Sequence, residues 1–228
     1  MARKVARRNE RARGAATGRR TPSSGRWLAR QRKDPYARAA RARGYRSRAA
    51  FKLAEIDDSY RLLAPGRRVV DLGAAPGGWA QVAVERVRPQ ATGGVVLAVD
   101  RDQMDPVPGA AFLRLDVLAP GAAERIGAAL GAKADAVLSD MASAATGHGF
   151  TDQARSLELA QGALEIAAAL LAPGGALLVK LLRGPGEEAI VAAMRRAFAT
   201  VKRVKPPASR AHSKELYLVG LGRRQGPP

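Results

Sequence analysis

The sequence predicts an α/β fold in which helices cover both faces of a mostly parallel sheet. From residue 47 onward, short apolar runs alternate with longer segments that are rich in Ala and Leu. The short runs are almost continuously apolar, which is typical of parallel strands that are buried on both faces. Strands that alternate with helices are typical of sheets whose neighbouring strands are joined by crossover helices.

Seven runs are predicted as strands because they are short, rich in Val, Leu and Ala, and bounded by Gly, Pro or charged residues. In chain order they are residues 67–73, 93–100, 111–116, 134–140, 174–182, 199–205 and 216–221.

Helices are predicted before and between these strands from the helical spacing of apolar residues. Ser47 is expected to cap the first helix, in which Phe51 and Ile56 lie on the inward face. The other helices are predicted over 78–88, 120–130, 151–171 and 186–198. The helix over 151–171 ends at the breaker sequence Ala-Pro-Gly-Gly and is interpreted as core only.

The composition excludes several kinds of site. The chain has no cysteine, which excludes disulfides, thiolate zinc sites and cysteine nucleophiles. Its two histidines, His148 and His212, are too far apart in sequence to form a ligand-spaced pair, so we expect no bound metal. No apolar stretch approaches the roughly 20 residues of a membrane span.

The positive charge is concentrated at the start of the chain. The net charge is +19, and residues 1–50 hold 17 Lys and Arg against two acids. We expect RNA or DNA as the partner, and residues 1–33 are predicted to be a flexible basic arm ahead of a domain over 34–228. A solvated tail without a partner and an organelle transit peptide are the alternatives for this arm. Next to Tyr45, Arg43, Arg46 and Arg48 are interpreted as a strip that contacts the RNA backbone.

Charged residues recur at the ends of the predicted strands. Asp71, Asp100, Asp116, Asp140 and Lys180 each lie at or near the carboxyl end of an apolar run. In a parallel sheet these ends share one edge, and open α/β folds bind ligands outside that edge. A single acid in such a place is often a helix cap, but five charged groups at one edge predict a site.

The glycine loop "VVDLGAAPGGWAQVA", residues 69–83, favours a nucleoside cofactor without phosphates. It matches neither the dinucleotide pattern G-x-G-x-x-G nor a phosphate-binding loop, since no G-K-[ST] follows. Asp100 is placed to accept hydrogen bonds from ribose hydroxyls, and Asp116 from an exocyclic amine. S-adenosylmethionine is such a cofactor, and its cationic sulfonium suits an acidic edge.

Six sequence blocks resemble, in order, those of the RlmE (FtsJ/RrmJ) family of ribosomal RNA ribose methyltransferases. They are "SRAAFKLAEID", "VVDLGAAPGGWAQ", "VDRDQMDPVPG", "LSDMA", "LAPGGALLVKLLRG" and "KPPASRAHSKELYLV". The resemblance covers about residues 34–223 and implies a Rossmann-like, class I methyltransferase fold with a seven-stranded sheet.

The resemblance also implies the site residues. Its catalytic tetrad matches Lys52, Asp140, Lys180 and Glu215. Its cofactor contacts match Gly77, Trp79, Asp100, Asp116 and Asp140, and no metal is implied. At Ser143 and Ala144 this chain lacks the Pro-Asn that the family often has, so the loop over 142–150 departs from the pattern.

The function implied by the resemblance is methylation of a ribose 2′-hydroxyl, of a uridine, in 23S ribosomal RNA. Lys180 is the hypothetical base, with Asp140 orienting it and Lys52 and Glu215 positioning the hydroxyl; charge stabilisation by Lys180 is the alternative. A transfer RNA ribose methyltransferase and a non-catalytic RNA-binding assembly factor are the other candidates. A hydride-transferring dinucleotide enzyme is disfavoured by the absent fingerprint. We expect a cytoplasmic monomer that acts on the large ribosomal subunit.

Overall fold

The computed structural model describes residues 34–226, so the predicted basic arm over 1–33 lies outside the described residues. The described helices are α1 (Pro35–Ala42), α2 (Ala49–Tyr60), α3 (Gly78–Val87), α4 (Pro89–Thr92), α5 (Ala122–Leu130), α6 (Gly149–Leu170) and α7 (Glu187–Ala197). The described strands are β1 (Arg68–Leu72), β2 (Val95–Asp100), β3 (Ala111–Arg114), β4 (Ala134–Ser139), β5 (Leu171–Leu182), β6 (Phe198–Val204) and β7 (Glu215–Arg223).

The seven strands form one sheet in the order β3-β2-β1-β4-β5-β7-β6. Strands β1 to β5 are mutually parallel, whereas β7 lies between β5 and β6 and is antiparallel to both. The predicted α/β class, with a mostly parallel seven-stranded sheet, is therefore confirmed. The main difference in the strands is that β5 begins at Leu171, three residues before the predicted start.

Apolar side chains on both faces of the sheet are buried against helices. On one face, Val70 and Leu72 of β1 pack with residues such as Ile126 of α5. On the other face, Val69 packs with Leu53 of α2 and with residues of α3. Burying one such side chain contributes roughly 1.5–3 kcal/mol. Because both faces are covered, every interior strand is apolar along almost its whole length, which is the pattern that predicted the sheet.

The start of α2 differs from the prediction, because Ser47 is not its cap. The helix begins at Ala49, and the preceding Arg48 has right-handed helical angles, φ −62° and ψ −20°, without a side-chain cap bond. Ser47 instead packs against α3, where a Cβ at Gly78 would lie 2.4 Å from its Oγ. The tertiary contact with Gly78 has therefore replaced the local cap.

Two helices were not predicted from the sequence. Helix α1 follows the basic arm and is held by Tyr36, whose ring centroid lies 5.6 Å from that of Phe51 in α2. Ala40 of α1 is almost completely buried. Helix α4 is a single turn that starts at Pro89. Within the part of the chain that is described, none of the helices is both long and apolar enough to span a membrane.

Candidate functional site

The register of the sheet brings the predicted tetrad together. Strand β4 ends at Ser139, which pairs with Val179 of β5, so Asp140 and Lys180 lie next to each other. The antiparallel β7 pairs Lys180 with Tyr217 and Leu182 with Glu215. Because β7 runs in the opposite direction, its first residues lie at the edge where the parallel strands end. Helix α2 packs over this edge and supplies the remaining member, Lys52.

Two ion pairs form the core of the tetrad. Lys52 Nζ lies 2.9 Å from Glu215 Oε2, and Lys180 Nζ lies 2.9 Å from Asp140 Oδ1. Lys180 also donates to the backbone oxygen of Asp140 at 2.5 Å. Both lysine side chains are only 9% exposed. An ammonium has three N–H bonds, so the two contacts of Lys180 leave one for a further acceptor.

Tyr217 joins the two ion pairs and was missed from the sequence as a site residue. Its hydroxyl donates to Asp140 Oδ1 at 2.8 Å. Lys52 Nζ lies 5.7 Å from the centroid of its ring, which is within the range of a cation–π contact. The available signal was its spacing, because residues two apart on a strand share a face and Tyr217 is two residues from Glu215.

The ionised form of Asp140 is stabilised by its neighbours in the site. Burial alone would raise the pKa of this carboxyl. The charges of Lys180 and Lys52, together with hydrogen bonds from Lys180 and Tyr217, outweigh burial and hold the pKa of Asp140 below its usual value. Asp140 is therefore ionised at neutral pH and provides a fixed negative charge beside both lysines.

A cleft of about 530 Å³ opens beside the tetrad at the same edge of the sheet. Its charged lining residues are Asp100, Asp102, Asp116, Asp140, Glu158, Arg101 and Arg155. Its apolar lining residues include Leu115, Val117, Leu118 and Leu159. Five acids against two arginines give the cleft an excess of negative charge, and several other lining residues are apolar. Asp140 belongs to both the cleft and the tetrad, so a ligand in the cleft lies beside the lysines.

Backbone N–H groups orient two carboxylates in the cleft. Asp100 accepts from Ala75 at 2.9 Å through Oδ2 and from Asp102 at 2.8 Å through Oδ1. Asp116 accepts from Leu118 at 3.0 Å through Oδ1. Each carboxylate oxygen can accept more than one hydrogen bond, so both side chains keep acceptor capacity for a ligand.

The glycines of the loop between β1 and α3 allow close packing within the protein. A Cβ at Gly73 would lie 2.7 Å from the side chain of Met141. A Cβ at Gly77 would lie 2.8 Å from Arg46 Nη1, and the φ of +111° at Gly77 also disfavours a side chain. Together with the contact between Gly78 and Ser47, these distances explain why the loop is glycine-rich.

Gly77 and Trp79 are not among the residues that line the cleft. The residues of this loop that line the cleft are Gly73 and Ala75. The Trp79 side chain is 3% exposed, its indole N–H donates to the Ala49 oxygen at 2.8 Å, and its ring packs against Tyr217. A contact between a cofactor and Gly77 or Trp79 would therefore have to use their backbone.

Asp71 differs from the other four charged residues of the edge. It is completely buried, and neither oxygen has a hydrogen-bond partner of good geometry. Burial first, and then the negative charges of Asp140 and Asp100, raise the pKa of Asp71 to about 8, although the N–H of Ala80 opposes this. Asp71 lies beneath the site and carries a proton at neutral pH.

Two of the three arginines that were predicted to contact RNA, Arg46 and Arg48, donate hydrogen bonds to the protein itself. Arg46 donates to three backbone oxygens, those of Pro76, Asp105 and Pro106. Arg48 donates to the Ala208 oxygen. Within residues 34–226, no three His, Asp or Glu side chains group as metal ligands.

Comparisons with known proteins show which family the chain resembles. The family model for FtsJ-like methyltransferases matches residues 45–223. The ribosomal RNA large subunit methyltransferase E of Parvibaculum lavamentivorans is 53% identical over 210 residues, which cover 89% of this chain and 83% of that protein. The enzyme of the same name from Xanthobacter autotrophicus is 50% identical over 205 residues, which cover 90% of this chain and 81% of that protein.

A solved structure is also similar over most of its length. The crystal structure of a ribosomal RNA methyltransferase from Plasmodium falciparum superposes with a TM-score of 0.70 at 27% identity, covering 78% of this chain and 98% of that chain. The family match includes every member of the tetrad and every acid of the cleft. The chain belongs to the FtsJ-like methyltransferase family.

Proposed function

We propose that the protein transfers a methyl group from S-adenosylmethionine to the 2′-hydroxyl of a ribose, that of a uridine, in 23S ribosomal RNA. The observation that carries the proposal is the position of Asp140, which lines the acidic cleft and also pairs with Lys180 in the tetrad. The names of the relatives support ribosomal RNA of the large subunit as the substrate. This function requires a site for the cofactor, a means of removing a proton, and a surface for RNA.

The cleft fits the proposed cofactor in charge and chemistry. S-adenosylmethionine has a sulfonium and an amino group against one carboxylate, so its net positive charge suits a cleft with five acids and two arginines. Asp100 keeps acceptor capacity for ribose hydroxyls, and Asp116 for the amine of the adenine. The apolar side chains of Leu115, Val117 and Leu159 also line the cleft and are available to pack against the base. When bound, the cofactor supplies an electrophilic methyl group whose sulfur loses its positive charge on transfer.

The residues of the tetrad would handle the ribose hydroxyl. For this step Lys180 must be the neutral amine, so its ammonium first loses one proton to solvent. The amine then accepts the proton of the hydroxyl as the oxygen attacks, and Asp140 holds its nitrogen in position through two contacts. Lys52 and Glu215, themselves paired at 2.9 Å, position the hydroxyl. Tyr217 donates to Oδ1 of Asp140, the same carboxylate oxygen that pairs with Lys180, and so helps to hold that carboxylate in place. Orientation of this kind contributes to rate because the reacting atoms are held in attack geometry.

A comparison of two substitutions tests the role of Lys180. If Lys180 is the base, Lys180→Ala and Lys180→Arg should both abolish single-turnover methylation, since a guanidinium does not lose its proton near neutral pH. Both variants should bind S-adenosylhomocysteine almost as well as the unmodified protein, because the role of Lys180 arises as the oxygen attacks. Activity of the Lys180→Arg variant would rule out Lys180 as the base, but it would leave the proposed methyl transfer intact.

The substrate is tested by offering several RNAs in parallel. With labelled S-adenosylmethionine, we expect label in a ribose of 23S RNA when large subunits or free ribosomal RNA are supplied. Residues 1–33 are proposed to add electrostatic affinity for this RNA ahead of the methyltransferase domain over 34–228. Label in transfer RNA alone would show that transfer RNA is the substrate instead. Cofactor binding without label in any RNA would favour a non-catalytic assembly factor.

A further inference from the structure

We propose that Arg46 is a positioning residue that holds the cofactor-binding loop in its binding conformation. The inference rests on the proposed function, because it takes the acidic cleft as the cofactor site. Arg46 lies in the connection between α1 and α2, which precedes the helix that carries Lys52. Sequence patterns suggested an RNA contact for this arginine, but its donors are directed at two segments that flank the cleft.

The guanidinium of Arg46 joins these two segments. Its Nη1 donates to the Pro76 oxygen at 3.1 Å and to the Asp105 oxygen at 2.6 Å, and its Nη2 donates to the Pro106 oxygen at 2.6 Å. Pro76 belongs to the glycine loop, whose Gly73 and Ala75 line the cleft. Asp105 and Pro106 follow the end of β2, where Asp100 to Asp102 line the same cleft. Arg46 therefore fixes the distance between the two sides of the site.

The loop is built around this guanidinium. A Cβ at Gly77 would lie 2.8 Å from Arg46 Nη1 and 2.9 Å from Val107 Cγ2, so a larger residue at position 77 would displace the arginine. The backbone N–H of Arg46 also donates to Gln81 Oε1 at 2.9 Å. Gln81 in turn donates to the Gly44 oxygen at 2.9 Å. The loop, the first turns of α3 and the connection before α2 thus form one hydrogen-bonded unit.

A planar guanidinium is required for this contact, because three carbonyl oxygens in two segments need several donors in a fixed plane. A lysine has a single nitrogen and cannot reach oxygens on both sides in the same geometry. Loss of Arg46 should therefore act mainly on cofactor affinity, because the tetrad does not contact it. The expected effect on methyl transfer at saturating cofactor is small.

Two substitutions at Arg46 and one matched control provide the test. Arg67 is the control, since its guanidinium also joins backbone oxygens, those of Arg61 at 3.0 Å and Leu62 at 2.6 Å, but at the far end of α2. Affinity for S-adenosylhomocysteine is measured by calorimetry, folding by thermal unfolding, and turnover with RNA at several cofactor concentrations. The unmodified protein must bind S-adenosylhomocysteine, and its failure to do so would count against the proposed function instead.

Arg46→Ala and Arg46→Lys should each weaken binding of S-adenosylhomocysteine about tenfold or more, as expected when several charge-assisted hydrogen bonds are lost. Arg67→Ala should stay within about twofold of the unmodified protein, and Arg46→Lys should recover its kcat at saturating cofactor. If the Arg46→Ala variant fails to fold, the cofactor affinity of Arg46→Lys alone tests the proposed role of Arg46. Binding by Arg46→Lys within about twofold of the unmodified protein, or an equal loss in Arg67→Ala, would overturn the proposal.

Discussion

Replacement of Asp71 by Asn should make the free energy of unfolding less dependent on pH. The carboxyl of Asp71 is completely buried without a good hydrogen-bond partner, and its pKa is raised to about 8. In the unfolded chain the same group has a pKa of 3.8. Below pH 3.8 both states are protonated, so the group has no effect there. Above it, only the unfolded state is ionised, and the folded state loses stability as pH rises.

The size of this term follows from the difference between the two pKa values. Each unit corresponds to about 1.36 kcal/mol, so the difference of about four units amounts to on the order of 5 kcal/mol once the pH exceeds 8. At pH 7 the term is on the order of 4 kcal/mol. Asn has nearly the same shape and no charge, so Asp71→Asn should become progressively more stable than the unmodified protein between pH 4 and pH 8, and the difference should then level off.

Urea unfolding at unit intervals from pH 5 to pH 9 measures this difference. The free energy of unfolding of Asp71→Asn minus that of the unmodified protein should rise with pH up to about 8. Asp100→Asn serves as a second variant, because the charge of Asp100 helps to raise the pKa of Asp71. When Asp71→Asn is compared with Asp71 in the Asp100→Asn protein, the difference in the free energy of unfolding should level off at a lower pH, because the pKa of Asp71 is less raised there. A difference that does not change with pH would show that Asp71 is ionised in the folded protein, and the reasoning would be refuted.

Three further predictions concern the site and the arm. Tyr217→Phe removes the hydroxyl that donates to Asp140 at 2.8 Å, so single-turnover methylation should fall about tenfold while cofactor affinity is kept. Asp100→Ala should weaken S-adenosylhomocysteine binding in calorimetry about tenfold or more, with RNA binding unchanged. Deletion of residues 1–33 should weaken RNA binding and reduce the slope of its dependence on log salt, because fewer phosphates are neutralised.

Each of these predictions has a result that contradicts it. Full activity of Tyr217→Phe would show that the lysines alone orient Asp140. Unchanged cofactor affinity in Asp100→Ala would remove Asp100 from the cofactor site. An unaltered salt slope after deletion of 1–33, in a protein that still unfolds at the same temperature, would show that the arm is not the electrostatic contact.

The parallel strands and the charged edge could be predicted because their signals are local. A buried strand is apolar along its length, and Asp100, Asp140 and Lys180 stand where such runs end. The pairing of Lys52 with Glu215 is different, since these residues are 163 positions apart. Only the family resemblance brought them together in advance, because no property of either segment specifies the other.

The contacts that were not predicted join residues from segments that are distant in the sequence. Ser47 has the residue type of a helix cap, but packing against Gly78 gives it a different environment. Arg46 has the residue type of a phosphate contact, but its guanidinium donates to three backbone oxygens of the protein. Tyr217 is an ordinary strand residue until the register places its hydroxyl beside Asp140. In each case residue type gives the chemical capacity, and tertiary packing decides how it is used.

The reversed direction of β7 has a consequence for synthesis of the protein. The strand carries Glu215 and Tyr217 at its beginning, yet it is inserted between β5 and β6, which are both made before it. During translation, a nascent chain in which only strands β1 to β6 have been synthesised contains Lys52 and Lys180 but not yet Glu215. Such a chain can form part of the cofactor cleft but not the complete tetrad. The proposed tetrad is therefore complete only after β7 has entered the sheet between β5 and β6.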